Sequence, residues 1–231
     1  MKKYTLNDFI FDEEIISKGL LEYESDLRLC LEDERFTKGA VVFLIIAYSN
    51  KPYDLVLIRR THRDGDKHSG EMSFPGGKFE KTRDRSYIDT ALRETEEELG
   101  IPRHKINVLG SFDDHITPKF FIITPIVGYI SPEQEMVKEE SEVKEIVKIP
   151  ITFFADGNNY RERTYLLHGN KIAVGKYIYR TSEGKKYVIF GATTHIIVHY
   201  LQSVYDLELM RSGYRRLNCS DFRERMRRNY K

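Results

Sequence analysis

Ser73-Phe74-Pro75-Gly76-Gly77-Lys78, then Asp84 to Leu99 with the ending Arg93-Glu94-Thr95-Glu96-Glu97-Glu98-Leu99-Gly100-Ile101, is the stretch on which the reading of this chain turns. Asp84 to Leu99 has the spacing of a helix, stopped by Gly100 and Pro102. At about 100° per residue, Ile88, Leu92, Thr95 and Leu99 share an arc of ~60°, a stripe suited to facing a core. Glu94, Glu97 and Glu98 share an arc of ~100° that begins at the edge of that stripe, while Glu96 points elsewhere. Arg93 stands one turn before Glu97 and can hold it in place.

A run of glutamates on a helix is ordinarily a solvated face. Three features oppose that here. Glu94 and Glu98 are a like-charge pair at i,i+4, which costs ~0.2–0.5 kcal/mol on an isolated helix. Glu96 to Glu98 lie in the last turn, at the negative end of the helix dipole. Two of the three carboxylates also border the apolar stripe, where solvation is poorer. A hard divalent cation relieves all three together. An oxygen-only donor set, with no His or Cys in the cluster, favours Mg²⁺ or Mn²⁺ over Zn²⁺. Such clusters commonly serve phosphate substrates, and Pro75-Gly76-Gly77 lets backbone approach a metal or phosphate closely. The chain contains no Walker A loop, no G-x-S-x-G and no H-E-x-x-H.

Working outward, Ala40 to Tyr48 is a continuous β-rich run, as a strand covered on both faces would be. Leu55 to Ile58 suggests a neighbouring strand after the Asn50-Lys51-Pro52 turn, and 61–71 reads as a loop. Phe120 to Ile130, Glu145 to Ile151, Thr164 to Leu167, Ile172 to Tyr179 and Lys186 to Phe190 read as strands. Helical spacing marks 12–36 and Thr193 to Met210. The pattern is α+β, a mixed β-sheet flanked by helices in a layered α/β/α sandwich.

The 231 residues carry 37 Lys and Arg against 36 Asp and Glu, with 12% aromatics, which excludes a disordered chain and gives no global charge for nucleic acid. Cys30 and Cys219 show no paired spacing, as expected of lone thiols in a reducing compartment. No signal peptide is visible, and the longest apolar run falls well short of the ~20 residues a membrane span needs. The expectation is a cytoplasmic protein with no membrane partner. The arginine-rich end, from Arg211 to Lys231, reads as a solvated terminal helix rather than a nucleic-acid surface.

Arg93-Glu94-x-x-Glu97-Glu98-x-Gly100-Ile101 resembles the second half of the Nudix box, G-x5-E-x7-R-E-U-x-E-E-x-G-U, with U an aliphatic residue. The first half departs: Arg85 stands where the box has Glu, and Thr95 fills an aliphatic slot. Phe74-Pro75-Gly76-Gly77, Asp84 and Thr90-Ala91-Leu92-Arg93-Glu94 resemble the signature of the coenzyme A pyrophosphatase subfamily, F-P-G-G…D-x5-T-A-L-R-E. Leu57, Arg60, His68 and Gly70 are similar to its upstream segment. Phe121 to Gly128, Glu142 to Ile151 and Phe190 to Thr193 extend the likeness over roughly residues 40–205.

That resemblance implies a Nudix-type α/β/α sandwich over 37–205; the ends it leaves unclaimed read from their own residues as an N-terminal helical extension, 1–36, and a basic C-terminal helical tail, 206–231. It implies that Glu94, Glu97 and Glu98 bind Mg²⁺ or Mn²⁺, and that Arg93, Glu94, Glu97 and a glutamate of a distal loop form the catalytic set, with Arg93 orienting Glu97; of the candidates Glu139, Glu140 and Glu142, Glu142 is chosen because it opens the matched segment. Arg60, Arg63, His68, Gly76 and Gly77 are the implied substrate-binding residues. The activity implied is cleavage of the diphosphate of coenzyme A or acyl-coenzyme A to 3′,5′-ADP and a 4′-phosphopantetheine product. ADP-ribose, NADH or nucleoside triphosphates stay open as substrates. So does an inactive nucleotide-binding module, and a homodimer.

Overall fold

The structure, a computed structural model, describes residues 4–31, 33–62, 70–167, 170–211, 213–215 and 217. The run from Ala40 onward is apolar at every step because helices cover it from both sides. It forms most of β1 (Thr37–Ile46). Ala40, Val42, Leu44 and Ile46 pack in one core cluster with Ala91 and Leu99 of the acidic helix, while Phe43 and Ile45 pack in another with Ile196, Ile197, Tyr200 and Leu201 of the last helix. The period-two alternation of a strand thus separates the two helical layers of an α/β/α sandwich.

The elements follow in the order α1 (Glu13–Lys18), β1, β2 (Asp54–Arg60), β3 (Met72–Ser73), β4 (Gly76–Lys78), α2 (Tyr87–Leu99), β5 (Asn107–Ser111), β6 (His115–Ile116), β7 (Phe121–Ile130), β8 (Val143–Pro150), α3 (Ile151–Ala155), β9 (Tyr160–Leu167), β10 (Asn170–Arg180), β11 (Lys186–Phe190) and α4 (Ala192–Tyr205). β1 pairs parallel with β7 from Thr37↔Phe121 to Ile46↔Ile130, and antiparallel with β2 and β4. β3 and β8 pair with β2, and β5 and β6 with β7, all antiparallel, so the sheet is mixed. A second, antiparallel sheet runs in the order β11-β10-β9.

Several expected elements shift. The acidic helix begins at Tyr87, not Asp84, because Ser86 caps it by accepting the Asp89 N–H at 3.2 Å. The helical spacing over 12–36 yields only α1, six residues long, and the chain from there to β1 is mainly turns. Of its apolar residues, Ile16 and Leu20 pack in the core cluster that holds α4, as does Phe9 before them, while Ile15, Leu27 and Leu29 are exposed. The last helix stops at Tyr205, well before Met210, with Asp206 in the left-handed conformation after it. β5 and β6 were not legible, since Asn107–Ser111 is buried only at its end and His115–Ile116 is two residues long. Most of the basic tail, 218–231, lies outside the described residues, as does Cys219; Cys30 is exposed. Among the described residues no helix is long and apolar enough to cross a membrane.

Candidate active site

Arg93 organises the acidic helix. Its side chain is buried, and each of its five guanidinium hydrogens has an acceptor. Nε and Nη2 donate to the two oxygens of Asp84 at 2.7 and 3.0 Å, Nη2 also to the Lys78 carbonyl at 3.1 Å. Nη1 donates to Glu94 at 2.8 Å and to Glu97 at 3.0 Å. The expected Arg93–Glu97 contact is therefore present, and Arg93 also grips Glu94. Asp84 in turn accepts from the Glu80 N–H at 2.8 Å and the Thr90 hydroxyl at 3.0 Å. The Arg93 hydrogen bonds hold the Asp84 carboxyl down at about 2, and the same bonds raise the guanidinium pKa.

Asp84 is the site residue that sequence reasoning missed. Arg85 occupies the Nudix-box glutamate position and is exposed, while the acid one place earlier pairs with Arg93. The available signal was the spacing of Asp84 and Thr90 in the subfamily signature, which the structure explains as a hydrogen bond.

The buried face of α2 also differs from the expected stripe. Ala91, Thr95, Glu98 and Leu99 are buried, whereas Ile88 and Leu92 are only half-buried. The helix is rolled toward its carboxylates, which puts Glu98 at 1% exposure. Glu98 accepts the Gly76 N–H at 2.9 Å, and Arg60 Nη1 stands 3.9 Å from its other oxygen. Burial outweighs both and pushes the Glu98 carboxyl up to about 8. Burial likewise raises Glu94, against the pull of Arg93. Glu97 is half-exposed and pairs with Arg83 as well as Arg93. Glu96 turns away, to Arg103 at 2.9 Å.

Gly76 and Gly77 are glycines for packing reasons. Gly76 has φ +146°, and a Cβ there would lie 2.3 Å from the Ala40 carbonyl. A Cβ on Gly77 would fall 2.3 Å from the Glu94 carboxyl carbon, so the bare backbone forms a cradle for that carboxylate. Glu142 is brought near by its loop: the Val137 and Glu139 N–H groups donate to the Leu99 and Glu98 carbonyls, and Thr61 donates to the Glu142 carbonyl at 2.8 Å. The Glu142 charge acts on both Glu94 and Glu98. Arg63 and His68 lie outside the described residues.

Beside this cluster opens a cavity of about 710 Å³, lined in part by Arg60, Gly76, Gly77 and Lys78. Its remaining wall is mainly apolar, including Ile116, Phe121, Ile123, Ile172 and Phe190. β10, β11 and the start of α4 therefore supply part of the cavity.

Do these residues fit a divalent cation? As the side chains stand, no three His, Cys, Asp or Glu among the described residues converge closely enough to enclose one. The donor chemistry nonetheless fits: an oxygen-only set on one helix, a buried carboxylate short of positive charge, and a glycine cradle against another.

Residues 37–155 match the NUDIX domain. The chain is 35% identical over 148 residues to an uncharacterized Nudix hydrolase NudL of Pectobacterium atrosepticum, spanning 64% of this chain and 70% of that protein. It is 32% identical over 166 residues to an uncharacterized NudL of Photorhabdus laumondii, spanning 72% and 84%. It is 27% identical over 162 residues to the peroxisomal coenzyme A diphosphatase NUDT7 of Mus musculus, spanning 70% and 67%. Fold and acidic helix together describe a hydrolase of diphosphate bonds. The chain belongs to the Nudix hydrolase family, whose members generally use divalent metal ions such as Mg²⁺.

Proposed function

We propose that the protein hydrolyses the diphosphate of coenzyme A or acyl-coenzyme A, giving 3′,5′-ADP and a 4′-phosphopantetheine product. The observation that carries the reading is the mainly apolar cavity that Gly76 and Gly77 help to line. Its volume and apolar lining suit a pantetheine arm leaving the diphosphate. The subfamily-like segments around Phe74–Gly77 and Thr90–Glu94, and the likeness to a coenzyme A diphosphatase, support the same substrate.

In this reading Glu94, Glu97 and Glu98 hold Mg²⁺ or Mn²⁺. The cation, when bound, supplies positive charge to the phosphate oxygens and lowers the pKa of water. Arg93 is a positioning residue: it fixes Glu94 and Glu97 and is itself fixed by Asp84. Arg60 and the backbone at Gly76 and Gly77 meet the substrate's diphosphate end. Glu142, whose charge reaches Glu94 and Glu98, takes the proton of the attacking water.

Mass spectrometry of products over coenzyme A, ADP-ribose, NADH and nucleoside triphosphates with Mg²⁺ tests the substrate. Arg60, Arg63, Lys67 and His68 offer positive charge for a 3′-phosphate. 3′-Dephospho-coenzyme A is therefore expected to show kcat/KM at least ~10-fold below coenzyme A, and Arg63→Ala to narrow that gap. Equal rates on both, or faster cleavage of ADP-ribose, would discard coenzyme A and leave the family standing.

A further inference from the structure

The cavity wall carries a polar group for which the acidic cluster and the glycine turn have no use. Ser73 lines the cavity with Phe74, Gly76 and Gly77, yet its hydroxyl is shielded from solvent and has no hydrogen-bond partner among the described residues. Buried hydroxyls are ordinarily paired, because nothing else replaces the water they give up. Its neighbours say which part of a ligand it could serve. Ser73 sits directly opposite Ile58 in the β2–β3 pair, and opposed residues point to the same face of a sheet. Ile58 packs in the cluster of α2. Ser73 therefore stands on the α2 side, where Arg60 approaches Glu98 and where Gly76 meets the same carboxylate.

We propose that Ser73 is a substrate-binding residue whose hydroxyl donates a hydrogen bond to an oxygen of the bound diphosphate. The residue is partly exposed although its oxygen is not, so a turn about χ1 swings the hydroxyl toward the cavity. That turn sacrifices no existing hydrogen bond, and a bond to an anionic phosphate oxygen is charge-assisted. The inference rests on diphosphate hydrolysis and not on the choice of coenzyme A.

Thr194 provides a control. Its hydroxyl is likewise shielded and unpaired, but Thr194 is not among the residues lining the cavity. The experiment compares melting temperature without Mg²⁺, and steady-state kinetics with Mg²⁺, for the full chain, Ser73→Ala and Thr194→Val. Both variants lose an unsatisfied hydroxyl and are expected to melt at least as high as the parent. Ser73→Ala is expected to raise KM ~5–10-fold on every diphosphate the parent cleaves, with kcat changed less, while Thr194→Val keeps the parental KM. If Ser73→Ala fails to fold, Ser73→Cys, of similar shape and a weaker donor, is read in its place. An unchanged KM overturns the proposal, as does a rise confined to one substrate, which would mark contact with an arm rather than the diphosphate. A parent that cleaves ADP-ribose but not coenzyme A removes the substrate reading, and the comparison is then made on ADP-ribose.

Discussion

Asp84, just before α2, and Glu98, in its last turn, are both buried carboxylates, and the protein moves them in opposite directions. Asp84 is held at about 2 and Glu98 is pushed up to about 8. The difference lies in what faces each group. Asp84 has a bidentate arginine, a hydroxyl and a backbone N–H. Glu98 has one backbone N–H and an arginine that stops 3.9 Å away. A carboxylate whose partners all come from the chain is scaffold. One left short of positive charge is a place where an added cation lowers the free energy.

Asp84→Asn attacks the scaffold side and carries the largest expected effect. It keeps the shape but leaves the buried Arg93 without its bidentate partner, which should cost ~3–5 kcal/mol of stability in urea unfolding. The acid limb provides a second measure. Because the Asp84 pKa is depressed when folded, its contribution is present above about pH 4 and lost as pH falls through about 2. That share is ~2 kcal/mol, and the Asn variant should lack it. A loss below ~1 kcal/mol would mean that the two ends of α2 do not divide into scaffold and cation site.

Glu98→Gln attacks the other side. Activity is expected to fall ~10²-fold or more, while the metal-free protein melts at the parental temperature or above, since Gln does not carry the burial cost that pushes the Glu98 carboxyl up. Near-parental turnover under saturating Mg²⁺ would remove Glu98 from the metal set. The smallest effect belongs to Glu96→Gln. Glu96 and Arg103 are about two-fifths exposed, so screening leaves their pair only ~0.2–1 kcal/mol, and turnover should not change. A large loss of activity there would show that the acidic run works as a whole, against the division into Glu94, Glu97 and Glu98.

Most of the central domain was legible because its signals are local. β1, β2 and β7 carry apolar runs, and α2 has a 3.6-residue period and a terminal glycine. The Arg93–Glu97 contact followed from i,i+4 spacing alone. Where only local pattern was available for weakly amphipathic stretches, it misled. Residues 12–36 are spaced like a helix, but only Glu13–Lys18 is helical, and the irregular chain after it buries Leu20 and Phe36 and exposes Leu27 and Leu29, which helical counting cannot distinguish.

The sequence by itself determined the layered fold, the helix that bears the glutamates, the glycine turn facing it and the family those motifs mark. The elements follow from side-chain period or backbone conformation within a few residues, and the family from the resemblance of its motifs. Tertiary structure alone decided that Arg93 is buried, that Asp84 and not residue 85 holds it, and that Glu98 rather than Ile88 faces inward. It also decided that β10, β11 and α4 supply part of the cavity wall. Those outcomes depend on which distant groups meet. A guanidinium can be buried only where several acceptors from separate segments converge on it, and no count along one helix records their arrival.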